Sequence, residues 1–236
     1  MRKGIVLLAL SLLLGTGAIA QDTIMITDLD MYNFWSKTGK SQEKISQVSK
    51  NLILKNKINK RVPVIVTSNK EVNAVTNPLT RQIEIYSGIL GLIDNDDELA
   101  FIIGHEMAHA VESYDGPFKI IVNQWNSKSY EYKSDLKAID YMVNAGYDPI
   151  SAMIMINKFS AEPLSDWGFL HTHPKGSKRL LAMYKYIYRK YPQYLSSSKT
   201  NDAYYKNFEY MFEEELKGFR HSESVRKQKQ QEREAL

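Results

Sequence analysis

Apolar positions along this chain follow first a helical period and then a strand period. Between Ser41 and Asn59, Ile45, Val48, Leu52 and Ile53 recur at helical spacing on a polar background, which predicts an amphipathic helix lying on a core. The pattern then shortens. Val62 to Thr67 is β-branched, bounded by Arg61 and Ser68-Asn69, and reads as a strand. Val72 to Thr76 reads as a second extended piece, closed by a turn at Asn77-Pro78. Gln82-Ile83-Glu84-Ile85-Tyr86 alternates polar and apolar, as a strand with one buried face does. The three form a small predicted sheet, whose last strand leads through Gly88 and Gly91 into a helix.

Helical patterning governs the remainder of the chain. Asn95 with Glu98 three residues on makes a capping box, and Asp94, Asp96, Asp97 and Glu98 set negative charge at the positive end of the helix dipole. Asp115-Gly116-Pro117 stops this helix. A second is predicted from about Phe118 to Ala145, with Gly146 as its C-cap. Asp148-Pro149 opens a third, carrying Met153, Ile154, Ile156 and Phe159. After a loop with Trp167, His171 and His173, Pro174 opens a helix whose Leu180, Leu181, Tyr184, Ile187 and Tyr188 face inward. Beyond Pro192 and Ser196-Ser197-Ser198 a last helix carries Tyr205, Phe208, Met211, Phe212, Leu216 and Phe219. The expected class is mainly α (α+β), a helical domain with a small three-stranded sheet beside its central helix.

The N-terminus changes the picture. Met1-Arg2-Lys3-Gly4, an apolar run from Ile5 to Leu14 and Ala18-Ile19-Ala20 make a secretory signal peptide over residues 1–20. The apolar run is shorter than the roughly 20 residues of a spanning helix, and no later segment is apolar enough to span. Residues 21–40 read as a loosely attached arm with Tyr32, Phe34 and Trp35 as its anchor, 41–195 as the main domain, 196–221 as a C-terminal helix packed on it, and 222–236 as a charged, Gln-rich tail, either a frayed helix or disordered. The chain has no Cys, which excludes lipoprotein attachment and disulfides and suits a bacterial periplasm or secreted fluid. Removing Arg2 and Lys3 from 31 basic residues leaves 29 against 27 acidic, a net of +2, which argues for neither nucleic acid nor an anionic membrane as partner.

Candidate chemistry centres on His105-Glu106-Met107-Ala108-His109. Histidines four apart share a helix face, so both imidazoles can reach one zinc ion while Glu106 faces a water on it. Ala100 to Gly104 and Met107 to Val111 keep the helix almost uncharged around the motif, unlike a solvated face. A catalytic zinc takes three protein ligands. Glu131, 22 residues past His109, is far enough along for a second helix to return beside the first, and is preferred over Glu112, which lies three residues past His109 on the same helix. Asp135, one turn beyond Glu131, can then accept a hydrogen bond from the outer ring nitrogen of His105 and fix its tautomer.

His105-Glu106-x-x-His109, Glu131-x-x-x-Asp135 running into Ala145-Gly146-Tyr147-Asp148-Pro149, and Thr172-His173-Pro174 with Arg179 resemble the gluzincin family of HtpX and the type I CAAX prenyl endopeptidases. Asn73-Ala74-Val75 and Ile83-Glu84-Ile85-Tyr86-Ser87-Gly88-Ile89-Leu90 resemble its Asn-Ala strand and the strand before its active helix. The likeness spans about Val62 to Arg179, and the small exported members are its nearest branch. It departs at Val75, where the family has an aromatic, and at Asn77-Pro78-Leu79-Thr80, where it has a Gly-rich turn. The resemblance implies a zincin-like fold, one Zn2+ per chain on His105, His109 and Glu131, Glu106 as catalytic base and Asp135 behind the ligands. It also implies that Asn73, His173 and Arg179 line the cleft and stabilise the transition state.

The expected activity is an exported zinc metalloendopeptidase hydrolysing peptide bonds in unfolded or misassembled envelope proteins. The alternative is a chaperone-like or latent protein-binding module that keeps the metallopeptidase fold. Substrate is expected to lie along Ile83, Glu84, Ile85 and Tyr86, pairing with a free strand edge.

Overall fold

The computed structural model describes residues 24–26, 42–116, 127–161 and 176–235. The expected signal peptide, the aromatic anchor of the arm, and the loop bearing His171 and His173 lie outside these residues. In order, the elements are β1 (Ile24–Ile26), α1 (Gln42–Lys55), β2 (Val64–Thr67), β3 (Ala74–Thr76), β4 (Ile83–Tyr86), α2 (Ser87–Leu90), α3 (Asp96–Glu112), α4 (Ser127–Asn144), α5 (Ile150–Ala161), α6 (Gly176–Lys190), α7 (Ala203–Met211) and α8 (Glu213–Glu234). The expected mainly helical fold with a small sheet is what forms.

The sheet has the order β1-β2-β4-β3, so β1 joins the three expected strands. β2 runs parallel to β1 and to β4, and β3 is antiparallel to β4. The β3–β4 hairpin closes as expected at Asn77, whose carboxamide oxygen accepts from the N–H groups of Leu79 and Thr80. Alternation in β4 buries Ile83 and Ile85 completely. Gly88 follows at a close backbone approach. A Cβ there would stand 2.1 Å from the Lys70 carbonyl oxygen, so no other residue fits without moving that turn.

Helix α3 is the core of the domain, buried from Glu98 to Ala110 and packed against α1, α4, α5 and β3. Its start is capped as the sequence predicts: Asn95 accepts from the Glu98 N–H at 3.1 Å, while the Glu98 carboxylate reaches back to the Asp94 N–H at 2.9 Å. Lys158 of α5 enters the same cluster, donating to Glu98 at 2.8 Å and Asp94 at 2.6 Å. Gly116, at φ +104°, follows the end of α3, and Gly146, at φ +85°, follows α4. Asp148 accepts from the Ile150 N–H at the start of α5.

At the C-terminal end one expectation is corrected and, of the two alternatives for the tail, the helical one forms. The last helix is two, α7 and α8, separated by Phe212 in a non-helical conformation. The tail from Ser222 is helical to Glu234. The first turns of α8 dock through Leu216, Phe219 and the buried Glu223, which Arg189 holds at 2.7 Å. Once nucleated, the helix propagates through good helix formers and i,i+4 pairs such as Gln228–Glu232 and Gln230–Glu234. Among the described residues no helix is long and apolar enough to cross a membrane.

Candidate metal centre and catalytic cleft

Two turns of α3 and the first half of α4 supply the site. Spacing of four puts His105 and His109 on one face, with their Nε2 atoms 3.0 Å apart. Glu131 of α4 closes the group, Oε2 lying 3.4 Å from His105 Nε2 and Oε1 lying 3.3 Å from His109 Nε2. All three side chains are buried. Four ligands at the 2.0–2.1 Å bond lengths of zinc stand about 3.4 Å apart at the corners of a tetrahedron, so the three observed separations fit one small cation. The donor set of two imidazoles and a carboxylate fits a catalytic zinc.

Behind these atoms lies a buried polar shell. His105 Nδ1 lies 3.0 Å from Asp135 Oδ1, the expected contact. Asp135 is held by Arg179 of α6 in a two-bond fork, Nε to Oδ2 at 2.6 Å and Nη2 to Oδ1 at 2.5 Å. Arg179 Nη1 also stands 3.6 Å from Glu131. Burial pushes the His105 imidazole down, but its hydrogen bonds to Asp135 and Glu131 and their charges outweigh this and carry it up to about 9 in the metal-free protein. For His109, burial together with the His105 charge prevails over the pull of Glu131 and holds the ring below its ordinary value. Burial raises the Asp135 carboxyl, yet the adjacent Arg179 guanidinium leaves it net below the usual range.

Arg179, with 1% exposure, stands behind the carboxylates of Asp135 and Glu131 and positions them. Its charge is needed there because Asp135 and Glu131 are both buried beside it.

Three further residues join the site. Thr76, at the end of β3, donates to Glu106 Oε2 at 2.7 Å and lies 2.9 Å from the Glu106 carbonyl oxygen. Ser134 Oγ lies 3.2 Å from His109 Nδ1, so each imidazole has a partner on its outer nitrogen. The Tyr130 ring packs on His109 with centroids 4.5 Å apart. Thr76 and Ser134 adjoin residues the sequence does single out, Asn73-Ala74-Val75 and Asp135. Only the docking of β3 and α4 on α3 gives them partners. Asn73 is buried at the head of β3, its carboxamide oxygen accepting from the Ala74 N–H at 2.9 Å. His173 lies outside the described residues.

The expected substrate strand is corrected. Ile83, Glu84, Ile85 and Tyr86 form an interior strand, paired to β2 on one side and β3 on the other. Their alternation reports a buried face, which an interior strand and an edge strand share. Among the described residues the free edge beside Glu106 belongs to β3, last in the strand order.

Residues 37–124, which include His105, Glu106 and His109 but not Glu131, match the model of peptidase family M48. The mitochondrial metalloendopeptidase OMA1 of Arabidopsis thaliana is 28% identical over 146 residues, 49% of this chain. The match spans 30% of that relative's length. The similarity is to metal-dependent peptidases, and it coincides with the His-His-Glu cluster that the geometry brings together.

Proposed function

We propose that this chain is an exported zinc metalloendopeptidase that hydrolyses peptide bonds in unfolded or misassembled polypeptides of the bacterial envelope. The observation that carries the reading is the convergence of His105, His109 and Glu131, with ligand atoms all within 4.8 Å of one another, beside the buried Glu106. When bound, zinc supplies a Lewis acid that lowers the pKa of a water toward neutrality.

The chain's own groups do the rest. Asp135 and Ser134 take hydrogen bonds from the outer N–H of His105 and His109, which presents both Nε2 lone pairs to the site. Thr76 fixes the Glu106 carboxylate through Oε2, and Glu106 takes the water proton and hands it to the leaving amine. Asn73 and His173 are the proposed donors to the developing oxyanion. Substrate pairs as an extended strand with the β3 edge, which reads main chain more than side chain. Export rests on the basic, apolar and Ala18-Ile19-Ala20 segments of residues 1–20, and periplasmic location on the absence of Cys.

The deciding experiment measures metal content and casein cleavage of the protein without residues 1–20, with and without chelator, beside Glu106→Gln. One zinc per chain, chelator-sensitive cleavage, and a Glu106→Gln protein that keeps its metal and loses cleavage are expected. Unfolded protein bound equally with and without metal, and never cut, would establish the chaperone-like alternative.

A further inference from the structure

Apart from the metal centre, the three C-terminal helices enclose a cleft of about 440 Å3, lined by Tyr184 and Tyr188 of α6, Leu195 beyond it, Tyr205 and Lys206 of α7 and Arg220 of α8. That volume lies in the range of small-molecule sites. None of these residues belongs to the metal centre.

The aromatic frame of the cleft is fixed from behind. Phe208, completely buried, packs on the rings of Tyr184 and Tyr205 with centroids 5.7 and 5.9 Å apart, and Phe219 packs on Tyr184 and Tyr188. Tyr184 and Tyr205 are 1% and 2% exposed, yet the fold does not use their hydroxyl protons. Arg220 Nε donates to the Tyr184 oxygen at 2.6 Å, which leaves the proton of that hydroxyl for a separate acceptor. Among the described residues, neither this proton nor the Tyr205 hydroxyl has a hydrogen-bond partner. Polar groups this deep in a protein are ordinarily paired. Burial pushes both phenols above their ordinary pKa, so they stay protonated as donors.

The charges around the cleft narrow the choice of acceptor. Lys206 and Arg220 bring two positive charges, and Glu209 brings one negative charge that Arg220 Nη2 already holds at 3.1 Å. Lys206 forms no ion pair among the described residues. A neutral polyol would leave this cation without a counter-charge, and a dianion would set a second negative charge against Glu209. A carboxylate carries one charge and accepts at both oxygens, so it can take both phenol protons and the ammonium in charge-assisted bonds. The cleft is larger than a carboxylate, and Leu195 and the Tyr188 ring give the rest of the ligand an apolar wall.

We propose that Tyr184, Tyr205, Lys206 and Arg220 form a binding site for an organic monocarboxylate with a small apolar body. A free organic acid and the C-terminus of a peptide share this chemistry. The inference does not rest on the peptidase reading.

The experiment uses Glu106→Gln protein, so that no probe is consumed, and titration calorimetry with two matched pairs. Hydrocinnamate is compared with hydrocinnamamide, and acetyl-Gly-Gly-Phe with a free C-terminus is compared with the same peptide amidated. In at least one pair the carboxylate should bind about ten-fold more tightly than the amide, the ratio shrinking in about 0.5 M salt. A preference confined to the peptide pair identifies a peptide C-terminus as the ligand, and one shown by hydrocinnamate identifies a small acid. Tyr205→Phe and the exposed Lys206→Gln should each lower the ratio, and the double variant should bring it to one. Tyr205→Phe should also melt no lower than the parent protein, because its hydroxyl has no partner in the fold. A carboxylate bound at the metal ligands would keep its preference in both variants, and that result would overturn the proposal. Equal binding of carboxylate and amide in both pairs, tighter binding of dianionic phenylphosphonate than of hydrocinnamate, or a clear drop in the melting temperature of Tyr205→Phe would do the same. Casein cleavage by protein with Glu106 intact decides the peptidase reading separately.

Discussion

Arg179 and Asp135, 44 residues apart in sequence, meet as a completely buried fork of two hydrogen bonds at 2.6 and 2.5 Å. The pair links α6 to the metal-facing side of α4 and sets the carboxylate that backs His105. Arg179→Gln leaves Asp135 and Glu131 buried without their cation, which should lower unfolding stability by about 3–5 kcal/mol. Urea unfolding checks this. Arg179→Lys should recover only part of the loss, because an ammonium cannot make the two-bond fork.

Thr76 and Glu106 give a prediction confined to the chemistry. Thr76→Val keeps the shape of β3 but removes a hydrogen bond to a charged carboxylate, worth about 1.5–3 kcal/mol. The turnover number should fall at least about ten-fold while metal content stays the same, and Thr76→Ser should restore most of it. Steady-state kinetics beside metal analysis would expose an error: loss of metal in Thr76→Val would make the residue structural.

Ser134 should matter to the metal itself. Substitution of a group behind a ligating histidine typically costs about 10–100-fold in metal affinity, and the neutral Ser134 contact at 3.2 Å belongs at the low end. Competition with a chelator should show Ser134→Ala releasing zinc about ten-fold more readily, and Asp135→Asn still more so. Equal retention in Ser134→Ala and the unaltered protein would remove Ser134 from the site.

Lys158 supplies the pH prediction. Burial lowers its pKa, but its bonds to Asp94 and Glu98 prevail and raise it above the ordinary 10.5. A group with a raised folded-state pKa contributes stability that is fully present below the unfolded value and is lost as pH rises through the folded one. The stability gap between unaltered protein and Lys158→Met should therefore be constant from about pH 7 to about pH 9 and shrink above 10.5. Urea midpoints across that range measure it.

The range of each interaction decides whether it is legible in the chain. The N-cap at Asn95, the stops at Gly116 and Gly146, the alternation of β4 and the shared face of His105 and His109 all depend on residues within a turn or two of one another. Local backbone geometry fixes them wherever the helix or strand goes. Glu131 and Asp135 were legible for the same reason once a second helix had to return beside the first. Strand order was not, because a period of two reports which face is buried and says nothing about what lies alongside; β4 thus proved interior and β3 the edge. The roles of Arg179, Thr76 and Ser134, and the meeting of Tyr184, Tyr205 and Arg220, were decided by docking of separate elements. An arginine reads the same in sequence whether it faces substrate or a buried carboxylate, and only packing that removes water from around Asp135 makes it the second.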